Sequence, residues 1–246
     1  MKIIALIPAR YDASRFPGKM LAMLGDKPVI RMTYEAAEST GLFDDVAVVT
    51  DSPLIYDAVE SFGGKVVMSK REHKCGSDRI AEVAAETDAD IVVNIQGDEP
   101  FIHRQSLTDL LSVFKAADAQ KIDLASLMYE IRLPEHVNDP NRVKVVVDKD
   151  NFALLFSRSP IPYARNKDTI HVYYNHVGIY AFRKEALTEF TKMPVGIPES
   201  MEKLEQLRYL ENGKKIKMVI TEFTGQGIDT PEDLERAKEY LKKLNK

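Results

Sequence analysis

The chain has 246 residues, 44% of them hydrophobic and 29% charged, with 34 basic side chains against 38 acidic ones. It is long enough for one generous α/β domain, and its mild acidic excess offers nucleic acid no basic stripe. No apolar stretch nears the roughly 20 residues that span a bilayer and no leader pattern opens the chain. The single cysteine, Cys75, excludes an internal disulfide and a Cys-based zinc site, so a cytoplasmic protein is expected.

Ile3 to Ile7 reads as a first buried strand. It delivers Ala9, Arg10, Ser14, Arg15, Gly18 and Lys19 into one loop whose shape Pro8 and Pro17 hold. Gly18 lets backbone amides approach a ligand, and the three basic side chains suit a triphosphate. Neither G-x-x-x-x-G-K-[ST] nor G-x-G-x-x-G is present, so an ATPase or dinucleotide reading has no support. The loop also reads as a solvated turn whose basic residues pair with nearby acids.

The periodicity then predicts a helix over Val29 to Ser39, a strand over Val46 to Thr50, a helix from Pro53 to Phe62 and a strand over Lys65 to Met68. Ser77 is expected to cap a helix running to Glu86. Gly76-Ser77 at that helix start suits a base edge or ribose. Asp78 in its first turn equally well serves the helix dipole.

Ile91 to Ile95 reads as a strand buried on both faces and ends in Gln96-Gly97-Asp98-Glu99-Pro100. Ligands of open α/β sheets sit outside the carboxyl ends of strands, so Asp98 is a candidate magnesium ligand. The plainer alternative is an acidic turn with Asp98 and Glu99 in water.

A helix over Gln105 to Ala116 precedes strands at Leu124 to Ile131, Val143 to Val147 and Phe152 to Phe156, the last two joined by a turn at Asp148 to Asn151. Val177 to Phe182 is a strand, and Lys184 to Thr191 and Glu199 to Leu210 are helices. A strand over Ile216 to Ile220 and a helix over Pro231 to Leu244 complete the chain. Thr230 as N-cap, Pro231 at the first helical position and Asp233 at the third account for one another. Asp229 is left unexplained by capping, which makes it the candidate second carboxylate.

Arg158 and Arg165 bracket a Pro-stiffened loop and suit bidentate capture of a carboxylate. His176 also reads as a satisfied core histidine, and Glu205 to Arg208 as a solvated helical face. Alternation of strands and helices through the first half argues for right-handed crossovers and a mostly parallel sheet. The strands cluster after Asp123, so one domain over 1–246 is expected, with a nucleotide half at about 1–122 and an acceptor half at about 123–246.

Taken in order, IPARYDASRFPGK, HKCGSDR, NIQGDEP, VKVVVD, ALLFSRSPIPY, HVGIYAF, LEQLR and IDTPEDL resemble the 3-deoxy-manno-octulosonate (Kdo) cytidylyltransferases over nearly the whole chain. The resemblance implies a Rossmann-like nucleotide-diphospho-sugar transferase fold, usually a homodimer. It implies a Mg²⁺-dependent reaction of CTP with the sugar acid, giving CMP-Kdo and diphosphate for lipopolysaccharide assembly. By the same resemblance Ala9, Arg10, Ser14, Arg15 and Lys19 hold the triphosphate, with Arg15 and Lys19 stabilising the leaving diphosphate. Ser77, Arg79 and Gln96 contact the cytidine, and Asp98 and Asp229 bind magnesium. Arg165, His176, Glu205 and Gln206 hold the sugar acid.

Three positions depart from the family's pattern. Met20 stands where proline commonly follows Gly-Lys, Asn175 where a basic residue is frequent, and Met193 to Met201 lacks an S-P-L-E run. The last two bear on the sugar, leaving 8-amino-Kdo or a sialic-acid-like substrate as the alternative. A nucleotide-binding module without turnover, or a glycosyltransferase consuming a nucleotide sugar, are the readings from other classes.

Overall fold

A computed structural model describes every residue except 13, 14, 72, 74, 117, 118, 167, 169, 170, 224–226, 245 and 246. The chain forms two compact units, Met1–Arg104 with Gly225–Lys246, and Gln105–Thr224. The division comes earlier than the expected 122, and the C-terminal stretch returns to the first unit instead of staying with the second half.

In the first unit, β1 (Ile3–Ala9) is buried along its whole length. A small antiparallel hairpin of β2 (Met23–Leu24) and β3 (Lys27–Pro28) leads into α1 (Val29–Ser39). Then come β4 (Asp45–Thr50), α2 (Pro53–Ser61), β5 (Val66–Met68), α3 (Gly76–Ala84) and β6 (Ile91–Ile95). The strands pair in the order β6-β1-β4-β5, all parallel as expected. The β-branched residues of β1, β4 and β6 are buried on both faces, which is the composition such a sheet requires. Register opposes Ala9 to Thr50 and Leu6 to Asn94, so the carboxyl ends of β1, β4 and β6 open on one edge.

Helix α1 begins and ends where its apolar spacing predicts, burying Val29, Ile30, Thr33, Tyr34 and Ala37. The N-cap of α3 falls two residues before the expected one, and the helix ends at Ala84 instead of Glu86. Cys75 holds the N-cap position, and Ser77, expected there, is fully buried within the first turn with its hydroxyl turned to Asn94.

The second unit opens within α4 (Arg104–Ser112) and continues through β7 (Leu124–Glu130), α5 (Pro134–Val137), β8 (Lys144–Val147) and β9 (Ala153–Ser157). It ends with β10 (Tyr174–Arg183), α6 (Lys184–Phe190), α7 (Ile197–Glu202), α8 (Gln206–Glu211) and β11 (Ile216–Ile220). Here β7 pairs parallel with β11 and antiparallel with β10, while β8 lies antiparallel between β10 and β9. The expected turn at Asp148 to Asn151 is closed by the Asp148 carboxylate, which accepts from the backbone amides of Asp150 and Phe152.

The single helix expected over Glu199 to Leu210 is two. Lys203 takes a left-handed conformation, φ 55°, after α7, and the chain restarts at Gln206. A buried pair bridges the break: Glu199 accepts from Arg208 Nε at 2.7 Å and Nη2 at 2.6 Å. The Arg208 guanidinium also stacks 4.4 Å over the Phe190 ring. The final helix, α9 (Pro231–Leu244), belongs to the first unit.

Candidate active site

The basic loop leaves β1 at Arg10, which is exposed, and turns at Gly18, whose φ of 70° favours a residue without a Cβ. The Gly18 amide donates to Tyr11 O at 2.9 Å, closing the turn and sending Lys19 inward. Of the triphosphate residues expected here, Ser14 lies outside the described residues.

Lys19, its side chain 8% exposed, donates to Asp98 Oδ2 and, at 3.1 Å, to Asp229 Oδ1. Arg15 reaches the other Asp229 oxygen at 3.0 Å. Burial works against the Lys19 ammonium, but the two carboxylates outweigh it and hold its pKa above the ordinary value. The two aspartates proposed from sequence therefore meet on one cation, beside the basic loop.

Backbone geometry fixes both acids. Gly97 sits so close to Pro8 O and Met20 Sδ that a Cβ there would lie 3.0 Å from each, and its carbonyl accepts from Thr33 Oγ1 at 2.8 Å. Asp98 O accepts from the Ile228 amide at 2.9 Å, joining the two acidic segments directly. Thr230 and Asp233 form the expected reciprocal cap: the Asp233 amide donates to Thr230 Oγ1 at 3.2 Å, and Thr230 N donates to Asp233 Oδ2 at 2.8 Å. The same Asp233 oxygen accepts from the Asp229 amide at 3.1 Å, so the cap also anchors Asp229.

Of the two acids that the plainer alternative puts in water, Asp98 pairs with Lys19, and the other is Glu99. It is half-buried, and a Cβ at Gly227 would fall 2.9 Å from its Oε1. Burial first, then the charges of Asp98 and Asp229, push its pKa up to about 8.

Residues assigned to the nucleoside lie behind the loop. Ser77 Oγ accepts from Asn94 Nδ2 at 3.1 Å, and Asn94 Oδ1 accepts from Gln96 Nε2 at 3.3 Å. Gly76 is packed against Pro8 and Gln96, with room for no side chain to spare. Ala9 is buried, and its carbonyl accepts from Arg79 Nη1 at 2.6 Å. Arg79 also pairs with Asp51. Among the described residues no three metal-ligating side chains gather. Two aspartates are nevertheless what magnesium asks of a protein when substrate oxygens complete its shell, so the donor set fits.

In the second unit, β10 bulges between Val177 and Tyr180. The Ser126 hydroxyl fills the bulge, donating to Ile179 O at 2.8 Å and standing 2.9 Å from His176 Nε2. His176 is buried between Phe156 and Tyr180, and burial depresses its pKa to about 3. Tyr180 in turn donates to Gln206 Oε1 at 3.2 Å, so His176, Tyr180 and Gln206 form one cluster, with Glu205 half-buried at the N-cap of α8.

Tyr180 is a member of this cluster that sequence reasoning did not single out, although its spacing of four from His176 on one strand was visible. Arg165 is exposed on a loop that lines a cavity of about 400 Å³ together with Tyr163, His171 and Tyr173. Arg158 does not share that role. Its Nε donates to Glu202 O at 2.8 Å and its Nη1 to Pro140 O at 2.9 Å, which spends the guanidinium on backbone carbonyls.

A family model described as cytidylyltransferase matches residues 4–216. Over 242 residues the chain is 61% identical to a protein of Flavobacterium johnsoniae named 3-deoxy-manno-octulosonate cytidylyltransferase, covering 98% of this chain and 99% of that one. It is 46% identical over 223 residues to a Shewanella frigidimarina protein named 8-amino-3,8-dideoxy-manno-octulosonate cytidylyltransferase, with 89% and 90% covered. Among solved structures it is similar to CMP:2-keto-3-deoxy-manno-octonic acid synthetase complexed with CTP, at a TM-score of 0.92 and 40% identity over 99% of this chain and 100% of that one. That likeness gives the fold: the nucleotidyltransferase arrangement, with a mostly parallel sheet and flanking helices.

Proposed function

The chain belongs to the cytidylyltransferase family, and from that premise we propose that it transfers the cytidylyl group of CTP to Kdo, releasing diphosphate. The sugar's anomeric hydroxyl attacks the α-phosphorus, the bond to the β-phosphate breaks, and the hydroxyl proton goes to solvent. Arg10, Ser14, Arg15 and Lys19 take the triphosphate, and the positive charge of Arg15 and Lys19 offsets the charge growing on the departing diphosphate. Ser77, Arg79 and Gln96 hold the cytidine. Arg165, His176, Glu205 and Gln206 hold the sugar acid, with Arg165 on its carboxylate. His176 serves as a neutral hydrogen-bonding group, since burial keeps it uncharged at neutral pH.

Asp98 and Asp229 hold a magnesium ion, which when bound supplies charge neutralisation at the α-phosphate and a lowered pKa for the attacking hydroxyl. The residues' own contribution is alignment of the hydroxyl with the leaving group, with no covalent intermediate. The convergence of the two aspartates on Lys19 beside the basic loop carries this reading. The protein acts in the cytoplasm, upstream of lipopolysaccharide assembly, as a homodimer. Exposed Leu154 and Leu155 on β9, which among the described residues pairs in its sheet with β8 alone, support the dimer.

The test is diphosphate release from CTP and Mg²⁺ with Kdo or 8-amino-Kdo. Faster turnover of Kdo is expected. Preference for the amino sugar moves the assignment to the alternative, and no release with either ends it.

A further inference from the structure

Arg79 sits in the first turn of α3, 5% exposed, where the carboxyl ends of β1 and β4 lie side by side. Its guanidinium spans two acceptors: Ala9 O, the last carbonyl of β1, and the Asp51 carboxylate just beyond β4. Asp51 is the carboxylate that faces it, with a third of its side chain exposed. Arg10 follows Ala9 directly, and its positive charge lies close enough to act on Arg79. Without Asp51, Arg79 would be a buried cation facing a like charge, with one carbonyl to hold it.

We propose that Asp51 is a positioning residue for nucleotide binding: it locks the Arg79 guanidinium against the Ala9 carbonyl and so fixes where β1 releases the phosphate loop. The inference rests on the reading that this loop takes CTP. Arg79 Nε, buried and without a hydrogen-bond partner among the described residues, is the donor left for the nucleoside. Asp51 thus orients two things at once, the backbone leading to Arg10 and the free edge of Arg79. It touches no reacting atom, so its removal acts on nucleotide affinity and leaves the chemical step alone.

Steady-state kinetics with CTP and Kdo on Asp51→Asn and Asp51→Glu test this, alongside CTP binding by calorimetry. Loss of the charge-assisted pair should raise KM for CTP by about tenfold while kcat and the sugar KM stay within about twofold. Asp51→Glu, which keeps the charge, should recover most of the affinity. Should Asp51→Asn not fold, Asp51→Ser carries the test: it removes the carboxylate while leaving Arg79 in place, and the same rise in KM is expected.

An unchanged KM for CTP overturns the proposal. So does a parallel loss of kcat and both affinities, the mark of a merely structural role, or a glutamate variant no better than the asparagine. A wild-type protein that binds CTP without making product would end the functional reading alone, because the calorimetric comparison of the variants still decides the role of Asp51.

Discussion

Lowering the pH tests how His176 is held. The ring is 9% exposed, packed between Phe156 and Tyr180, with Ser126 as its hydrogen-bond partner. Burial depresses its pKa from 6.5 to about 3, and no charged neighbour contributes. Unfolding returns the imidazole to water and to its ordinary value. Between those two values the unfolded chain takes up a proton that the folded chain refuses, so stability rises with pH across that window. The contribution of the neutral ring is therefore complete above pH 6.5 and declines as pH falls towards 3. At about 1.4 kcal/mol per unit, the loss by about pH 5 is about 2 kcal/mol, a large share of a stability typically near 5–15 kcal/mol. Urea denaturation followed by circular dichroism, at about pH 7 and about pH 5, compares wild type with His176→Gln. The glutamine amide still donates to Ser126 but gains no charge. Carboxylates elsewhere titrate in both proteins, so the difference between the two losses isolates the ring. Equal losses would mean that the folded protein accommodates a charged imidazole, and the argument from burial would be wrong.

Asp98→Asn should still bind CTP while kcat falls on the order of 10² or more, as when one preorganised electrostatic element is removed. Near-normal turnover would take Asp98 out of the mechanism. Glu199→Gln leaves the Arg208 guanidinium buried without its carboxylate and should cost about 3–5 kcal/mol by chemical denaturation. A cost below about 1 kcal/mol would show that stacking on Phe190 is enough to hold it. Thr230→Val removes the hydroxyl that caps α9 and should lower stability by about 1 kcal/mol; an unchanged melting temperature would remove the cap from the account of Asp229.

The helices with clean periodicity and strong end signals were legible to the residue. Val29 to Ser39 and Pro231 to Leu244 are both as expected, the first from its buried stripe and the left-handed Gly41 beyond its end, the second from its stripe and the Thr230–Asp233 cap. The misread ends share a different cause. Ser77 looked like a cap because its neighbours form a helix, yet its hydroxyl is claimed by Asn94, a partner supplied by another strand. The break at Lys203 carries no glycine or proline; burial of Leu204 on one side and the Glu199–Arg208 pair on the other impose it. The same distinction governs the site. Asp229 was found by asking which residue the cap leaves over, a local question. The ionisation of Glu99 was not, because its burial depends on Gly227, far along the chain. Arg158 bears out the plainer structural reading of its loop, but its partners, the carbonyls of Glu202 and Pro140, are not visible in the local sequence.

The charges of the site bear on how nucleotide and cation enter. Asp98 and Asp229 are matched by Lys19 and Arg15, so these four groups nearly cancel. A triphosphate approaching them gains little until the ammonium and guanidinium change partners, from carboxylate to phosphate oxygen. Lys19 is buried, and Asp98 is only 21% exposed, so an exchange that removed the ammonium would leave that carboxylate without its counter-charge. In the proposed reaction Asp98 and Asp229 would hold a divalent ion, which would supply the counter-charge that Lys19 gives up. Lys19 is thus the counter-ion that keeps the acidic pair together in the free protein and, in the proposed reaction, the group that would turn to the triphosphate.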